Sequence, residues 1–186
     1  MTRYALLVRG INVGGKNKVV MAQLRQELTE LGLKKVETYI NSGNIFFTTG
    51  LSRSQLVECL STFFEDHYPF IELFSLLSRE DYEAEYANLP QWWTEEMARK
   101  DVLFYTESLD VDQVIEKVNS LELVDEVLYF GKLGIFWGKL SEASYSKTAY
   151  HKHLLKMPFY GNITIRNANT FDKIGQFLKH KKGDRQ

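Results

Sequence analysis

Disulfides, membrane spans and metal clusters are what this sequence lacks the means to build. It has one cysteine, Cys59, so no internal disulfide is possible. Cys59 sits in a helical apolar pattern and reads as a small buried hydrophobe rather than a reactive thiol. Only four histidines occur; two of them, His151 and His153, form an H-x-H pair on an expected helix, where their rings point to different faces. With no third ligand nearby, a metal site is not expected. No apolar run approaches the ~20 residues of a membrane span, and the short apolar stretch at 4–8 is too brief for a signal-peptide core. The expectation is a cytoplasmic protein with no membrane partner. A net charge of −1 removes any global attraction to nucleic acid, so a basic footprint has to be local.

One sign of charge is missing from the start: no acidic residue precedes Glu27. Into that positive field falls Arg9-Gly10-Ile11-Asn12-Val13-Gly14-Gly15-Lys16-Asn17-Lys18, with three glycines, three cations and two amides in ten residues. It follows an apolar strand at 4–8 and precedes a helix at 21–31, whose Met21, Leu24, Leu28 and Leu31 share a face before Gly32 caps it. Such a loop suits a phosphate or carboxylate held by backbone N–H groups. Gly10-x-x-x-x-Gly15-Lys16 fits the first seven positions of a P-loop. Asn17 stands where Ser or Thr would hold a metal, and helical periodicity starts only near Met21. A nucleotide hydrolase is therefore disfavoured, and a simpler nest of the Gly14, Gly15 and Lys16 amides with Arg9 and Lys16 remains.

Strands at 36–40 and 45–49 are joined by Asn41-Ser42-Gly43-Asn44, a hairpin connector whose residues suit positive φ. A helix at 54–67 runs through Leu56, Leu60, Phe63 and Phe64 to Pro69, and a strand follows at 70–77. Ser78 caps a helix stopped by Pro90. From Asp101 the same order recurs: strand 102–106, helix 111–118, hairpin strands 127–130 and 135–137, helix 146–156, strand 163–166 and a closing helix 170–181. The chain therefore divides into a repeat at 1–90, a linker at 91–100 carrying Trp92 and Trp93, and a second repeat at 101–186. Each β-α-β-β-α-β unit fits a ferredoxin-like sheet. The fold expected is α+β, two such repeats with mixed or antiparallel sheets and flanking helices. Apolar residues at both strand parities (Ile45 and Phe47 against Phe46; Ile135 and Trp137 against Phe136) require both sheet faces to be covered, so the repeats pack together or intertwine.

Right-handed crossovers put the end of the first strand beside the turn between the second and third. The glycine loop and the 41–44 turn should form one polar rim, to which Asn12, Asn41, Ser42 and Asn44 contribute amides and a hydroxyl. In Arg166-Asn167-Ala168-Asn169-Thr170, Asn169 or Thr170 reads as a helix cap, and Arg166 as a cation able to hold an anion or an internal carboxylate. Glu80, Asp81, Glu83 and Glu85 read as a solvated acidic helix face, 179–185 as a basic tail. Aromatic strand positions such as Phe46 and Phe47 suggest an RNA-binding sheet, but doubly covered strands and near-zero net charge make nucleic acid a poor fit.

Leu7-Val8-Arg9-Gly10-Ile11-Asn12-Val13-Gly14-Gly15-Lys16-Asn17-Lys18, Met21, and Thr38-Tyr39-Ile40-Asn41-Ser42-Gly43-Asn44-Ile45 together resemble the opening of the bacterial domain-of-unknown-function family 1697. Thr164-Ile165-Arg166-Asn167-Ala168-Asn169-Thr170 is similar to that family's closing motif. Val20 replaces the usual proline before the methionine, and Ala168 the usual tryptophan. The resemblance implies the fold and the weight of the loop, not a reaction. The expected function is binding of a small anionic, phosphate-bearing ligand by Arg9, Gly10, Asn12, Gly14, Gly15, Lys16, Asn41, Ser42, Asn44 and Arg166. The alternatives are a protein-interaction or structural module, then single-stranded nucleic-acid binding or an enzyme for which no general base is named. No cofactor and no oligomeric state follow from the residues.

Overall fold

The computed structural model describes residues 1–179. Strand β1 (Thr2–Val8) leads to α1 (Met21–Glu30), β2 (Lys34–Tyr39), β3 (Asn44–Thr49), α2 (Arg53–His67), β4 (Phe74–Ser78) and α3 (Arg79–Ala87). A 3-10 turn at Gln91–Thr94 precedes β5 (Arg99–Tyr105), α4 (Val111–Asn119), β6 (Glu126–Phe130), β7 (Gly134–Lys139), α5 (Ala149–His153), β8 (Ile163–Asn167) and α6 (Ala168–Lys179). The strands form two four-stranded sheets, ordered β2-β3-β1-β4 and β6-β7-β5-β8. In each, the first strand runs antiparallel to both neighbours, as two ferredoxin-like repeats require.

The alternation of side chains along the strands decides what covers each face. Tyr4, Leu6, Val8, Ile45 and Phe47 pack beneath α1 and α2. Ala5, Leu7 and Phe46 point the other way, toward Val102, Phe104 and Phe136 of the second sheet, with Tyr82 of α3 and Phe171, Ile174 and Leu178 of α6 between. Leu103, Ile135 and Trp137 face outward again, under α4 and α5. The repeats thus share a central core. Phe177 of α6 stacks on Phe46 at 4.5 Å, and Trp93 of the linker meets Phe136 and Phe171 edge-on at 5.0 and 5.7 Å. At the sheet margins, the Ser75 and Thr164 hydroxyls hydrogen-bond at 2.8 Å.

Several expected boundaries moved, each for a local reason. Residues 70–73 carry no strand pairing, and β4 starts at Phe74 opposite Val8. The expected helix at 146–156 is α5 flanked by 3-10 turns at Tyr145–Lys147 and Leu154–Lys156; the Thr148 hydroxyl accepts from the His151 amide and starts the α-helix there. Helix α6 begins at Ala168, because Asn167, not Asn169 or Thr170, caps it by accepting from the Thr170 amide at 2.9 Å. Ser78 caps α3 as expected, in a capping box with Asp81. Apart from Lys179, the basic stretch at 179–185 lies outside the described residues.

Glu85 departs from the solvated acidic face expected of α3. It is buried, and its carboxylate accepts from the Leu133 amide at 2.6 Å in the β6–β7 turn. Burial raises its pKa above 4.5, against the opposing pull of the Leu133 and Lys132 amides and the Lys132 charge. A raised folded value means that the folded protein holds more protons than the unfolded chain between 4.5 and that value, so Glu85 makes stability fall as pH rises through the window. Urea denaturation across this range is expected to show a shallower fall for Glu85→Gln than for the wild type. Equal slopes would remove Glu85 as the source.

Candidate functional site

The loop after β1 is a miniature hairpin. Val13 and Lys16 pair across a two-residue turn at Gly14 and Gly15, whose φ angles are 58° and 74°. Two successive positive φ values define a type I′ turn, for which glycine carries no Cβ penalty. The Lys16 amide closes it by donating to the Val13 carbonyl at 3.0 Å. Lys16 thus brings its ammonium but not its amide, and Gly14 and Gly15 supply the amides at the exposed tip. Lys16, Asn17 and Lys18 are also exposed.

Asn12 anchors the hairpin from beneath. Its Oδ1 accepts from the Val19 amide at 2.8 Å, while Nδ2 donates to the Val19 carbonyl at 3.1 Å and the Asn41 carbonyl at 3.0 Å. That last bond, with Val8 N donating to the Gly43 carbonyl at 3.0 Å, joins the glycine loop to the 41–44 turn at one corner of the first sheet. Gly43 is required there, since a Cβ would run into the Val8 side chain.

Arg166 reaches the same corner from the second repeat. The residue is 8% exposed, and its guanidinium donates to Asn44 Oδ1 at 2.7 Å, to the carbonyls of Val8 (2.7 Å), Gly43 (3.1 Å) and Ser42 (3.2 Å), and to the Ile165 carbonyl at 2.9 Å. Its acceptors are neutral oxygens rather than a carboxylate, and burial without a counter-charge pushes its pKa down to about 10. Asn44 is likewise buried, its Nδ2 donating to Ser42 Oγ and the Tyr39 carbonyl at 3.1 and 3.2 Å. Arg9 donates through Nη1 to the Tyr160 and Ile163 carbonyls and lies over the Tyr160 ring at 5.0 Å.

All ten residues read from the sequence therefore gather in one region, divided by task. Arg9, Asn12, Asn44 and Arg166 tie its parts together, and Gly10 accepts from Asn17 Nδ2 at 2.9 Å. Gly14, Gly15, Lys16, Asn41 and Ser42 face outward. The rim also stores backbone strain. Ile40, a β-branched residue, sits at φ 48°, a conformation that costs a side chain roughly 1–2 kcal/mol, and it is 53% exposed. Ile40→Asn, which tolerates that backbone and gives up little burial, is expected to stabilise the fold by about 1 kcal/mol in chemical denaturation. A loss of stability would mean that Ile40 is held there by packing.

A second constellation escaped the sequence reading. Where β5 begins and β8 ends, a cavity of about 530 Å³ is lined by residues that include Arg99, Lys100, Asp101, Tyr150 and Asn169. Below it Lys139, 0% exposed, pairs with Asp101 and lies 3.7 Å from the centroid of the Tyr150 ring. Desolvation lowers the Lys139 pKa from 10.5, opposed by Asp101. The sequence signal was parity: Ile135, Trp137 and Lys139 share one face of β7, so the lysine follows two core positions. Among the described residues, no group of three or more His, Cys, Asp and Glu is placed to hold a metal, and no helix is long and apolar enough to cross a membrane.

A family model described as a protein of unknown function, DUF1697, matches residues 1–136. That span includes the whole rim except Arg166 and ends before the 164–170 motif. Among solved structures, the chain is similar to the conserved bacterial protein SP0830 from Streptococcus pneumoniae, at 79% identity and a TM-score of 0.95, covering 96% of this chain and 99% of that one. No curated protein matches.

Proposed function

The chain belongs to the DUF1697 family of proteins of unknown function, and on that footing we propose that its first-repeat rim binds a small phosphate-bearing anion. The observation that carries this reading is the Asn12 bond that joins the glycine loop to the 41–44 turn, a turn that Arg166 holds against the end of β1. Gly14, Gly15, Lys16, Lys18, Asn41 and Ser42 are all exposed, in a stretch of chain with no carboxylate before Glu27. The Gly14 and Gly15 amides bind phosphate oxygens, Lys16 and Lys18 neutralise charge, and Ser42 and Asn41 orient the rest of the ligand.

One observation favours a second reading, a protein-interaction module: Val13 and Val20 are 66% and 53% exposed beside those lysines. A thermal-shift screen of nucleotides, sugar phosphates, carboxylates and short oligonucleotides separates the two. A ligand at 100 times its dissociation constant raises stability by ~2.7 kcal/mol. The expected result is a shift with a phosphate compound that disappears in Lys16→Ala/Lys18→Ala while melting of the free protein is unchanged. Arg9→Ala is a poor probe, since it also releases the Tyr160 and Ile163 carbonyls. Hits insensitive to the lysine pair would place the site elsewhere, and no hits alongside a co-purifying protein would favour the interaction module.

A further inference from the structure

We propose that β6 is an interaction edge whose partner is a second copy of this chain. The two β6 strands pair antiparallel across a two-fold axis near Leu128 and Tyr129, joining two second-repeat sheets into one. A contact of this kind uses the same surface on both chains. It is independent of the rim, which belongs to the first repeat.

Natural sheets keep an open row of backbone groups from pairing with charges, bulges or covering groups. Three of the four outer strands here do so. β2 carries Lys34 and Lys35, a bulge between Lys34 and Glu37, and a φ of 51° at Lys35. β4 gives its Phe74 and Leu76 carbonyls to the Glu107 amide at 3.2 Å and to Arg53 Nη2 at 2.6 Å. β8 gives those of Ile163 and Ile165 to Arg9 and Arg166 at 3.2 and 2.9 Å. β6 is different. Its one charge, Glu126, turns its carboxylate inward to Trp137 Nε1 and the Ala149 and Tyr150 amides. The Val127-Leu128-Tyr129-Phe130 run that follows holds no charge or proline and pairs with β7 residue for residue, without a bulge.

The ladder shows which groups are open. The Gly131 amide donates to the Gly134 carbonyl, and the Leu140 amide to the Asp125 carbonyl, both at 2.9 Å. Bonded and non-bonded pairs alternate along an antiparallel ladder, so Val127 and Tyr129 bond to β7, while Leu128 and Phe130 turn their amides and carbonyls away from it. Among the described residues, no side chain or loop takes those groups. The flanks choose the partner. Glu122 and Asp125 are exposed before β6, and Lys132 is exposed after it. Antiparallel self-pairing sets Lys132 of each chain against the acidic end of the other, at both ends of the contact. It also brings the exposed Leu123, Val124 and Leu140 toward the Lys132–Leu133 turn of the second copy.

The test combines sedimentation equilibrium with amide hydrogen exchange of the full chain. At ~100 µM the expected mass is twice the 21.7 kDa of one chain. The Leu128 and Phe130 amides should exchange more slowly as protein concentration rises, while those of Val127 and Tyr129, already bonded to β7, stay unchanged. Lys132→Glu sets like charges against each other at both ends and should weaken the dimer about tenfold or more. Adding Glu122→Lys should restore it, which no simple loss of folding would allow. A single-chain mass at that concentration overturns the assignment. So does a dimer whose Leu128 and Phe130 amides exchange as fast as in dilute solution, or a Lys132→Glu defect that Glu122→Lys does not repair.

Discussion

Arg166→Ala is expected to lower the unfolding free energy by about 3–5 kcal/mol, the range for removing one partner from a buried charged network. The guanidinium satisfies Asn44 Oδ1 and the carbonyls of Val8, Ser42 and Gly43 from the other repeat. Without it, those oxygens stay in a corner that water reaches poorly. Arg166→Lys should recover little, because an ammonium cannot reproduce the planar fork that meets Asn44 on one edge and the chain carbonyls on another. Urea denaturation of the two variants gives the answer, and amide shifts at Val8, Gly43 and Asn44 locate the damage. A loss near 1 kcal/mol would mean that solvent replaces the guanidinium, and that the rim is less closed than these distances imply.

Phe171→Ala should cost a similar ~3–5 kcal/mol, for a different reason. The ring is fully buried between the sheets and meets Tyr82, Phe136, Trp93 and Phe104 at centroid distances of 4.8, 5.3, 5.7 and 6.2 Å. Truncation removes those contacts and leaves a cavity that the rigid rings around it cannot fill. Because Tyr82 belongs to the first repeat and Phe104 and Phe136 to the second, the loss should fall on both at once. Far-UV signal and tryptophan fluorescence are expected to report one coincident, shifted transition. Two separated transitions would show that the repeats unfold independently and that the shared core does not couple them.

The fold was legible where the physics is local. Apolar residues at both parities of β1, β3 and β7 required two covered faces, and the central core with its α3 and α6 filling is that requirement met. The crossover rule placed the glycine loop beside the 41–44 turn from residues far apart in sequence, and the Asn12–Asn41 bond is the result. What escaped depends on partners from the other repeat. Nothing near Glu85 in the sequence names the Leu133 amide, and nothing near Arg166 names the Val8 or Gly43 carbonyls. Glu85 therefore read as part of a solvated acidic face, and Arg166 as a cation for an anion or an internal carboxylate, until the repeats are packed. The tip amides posed a finer problem: composition says that glycines can form a nest, but the type I′ turn commits the Lys16 amide to Val13 and leaves Gly14 and Gly15. Lys139 was readable in principle from its place two positions after Trp137, but its meaning depends on Asp101, which register pairs with Trp137 across the sheet.

The rim's worth as a site rests on the hairpin tip and the 41–44 turn acting on one ligand together. A ¹H–¹⁵N titration with pyrophosphate tests this directly. The Gly14, Gly15 and Ser42 amides should move along one saturating curve in the wild type and stay still in Lys16→Ala/Lys18→Ala. Tip and turn amides that respond with different midpoints, or remain fixed while resonances elsewhere move, would contradict a shared anion site at this corner.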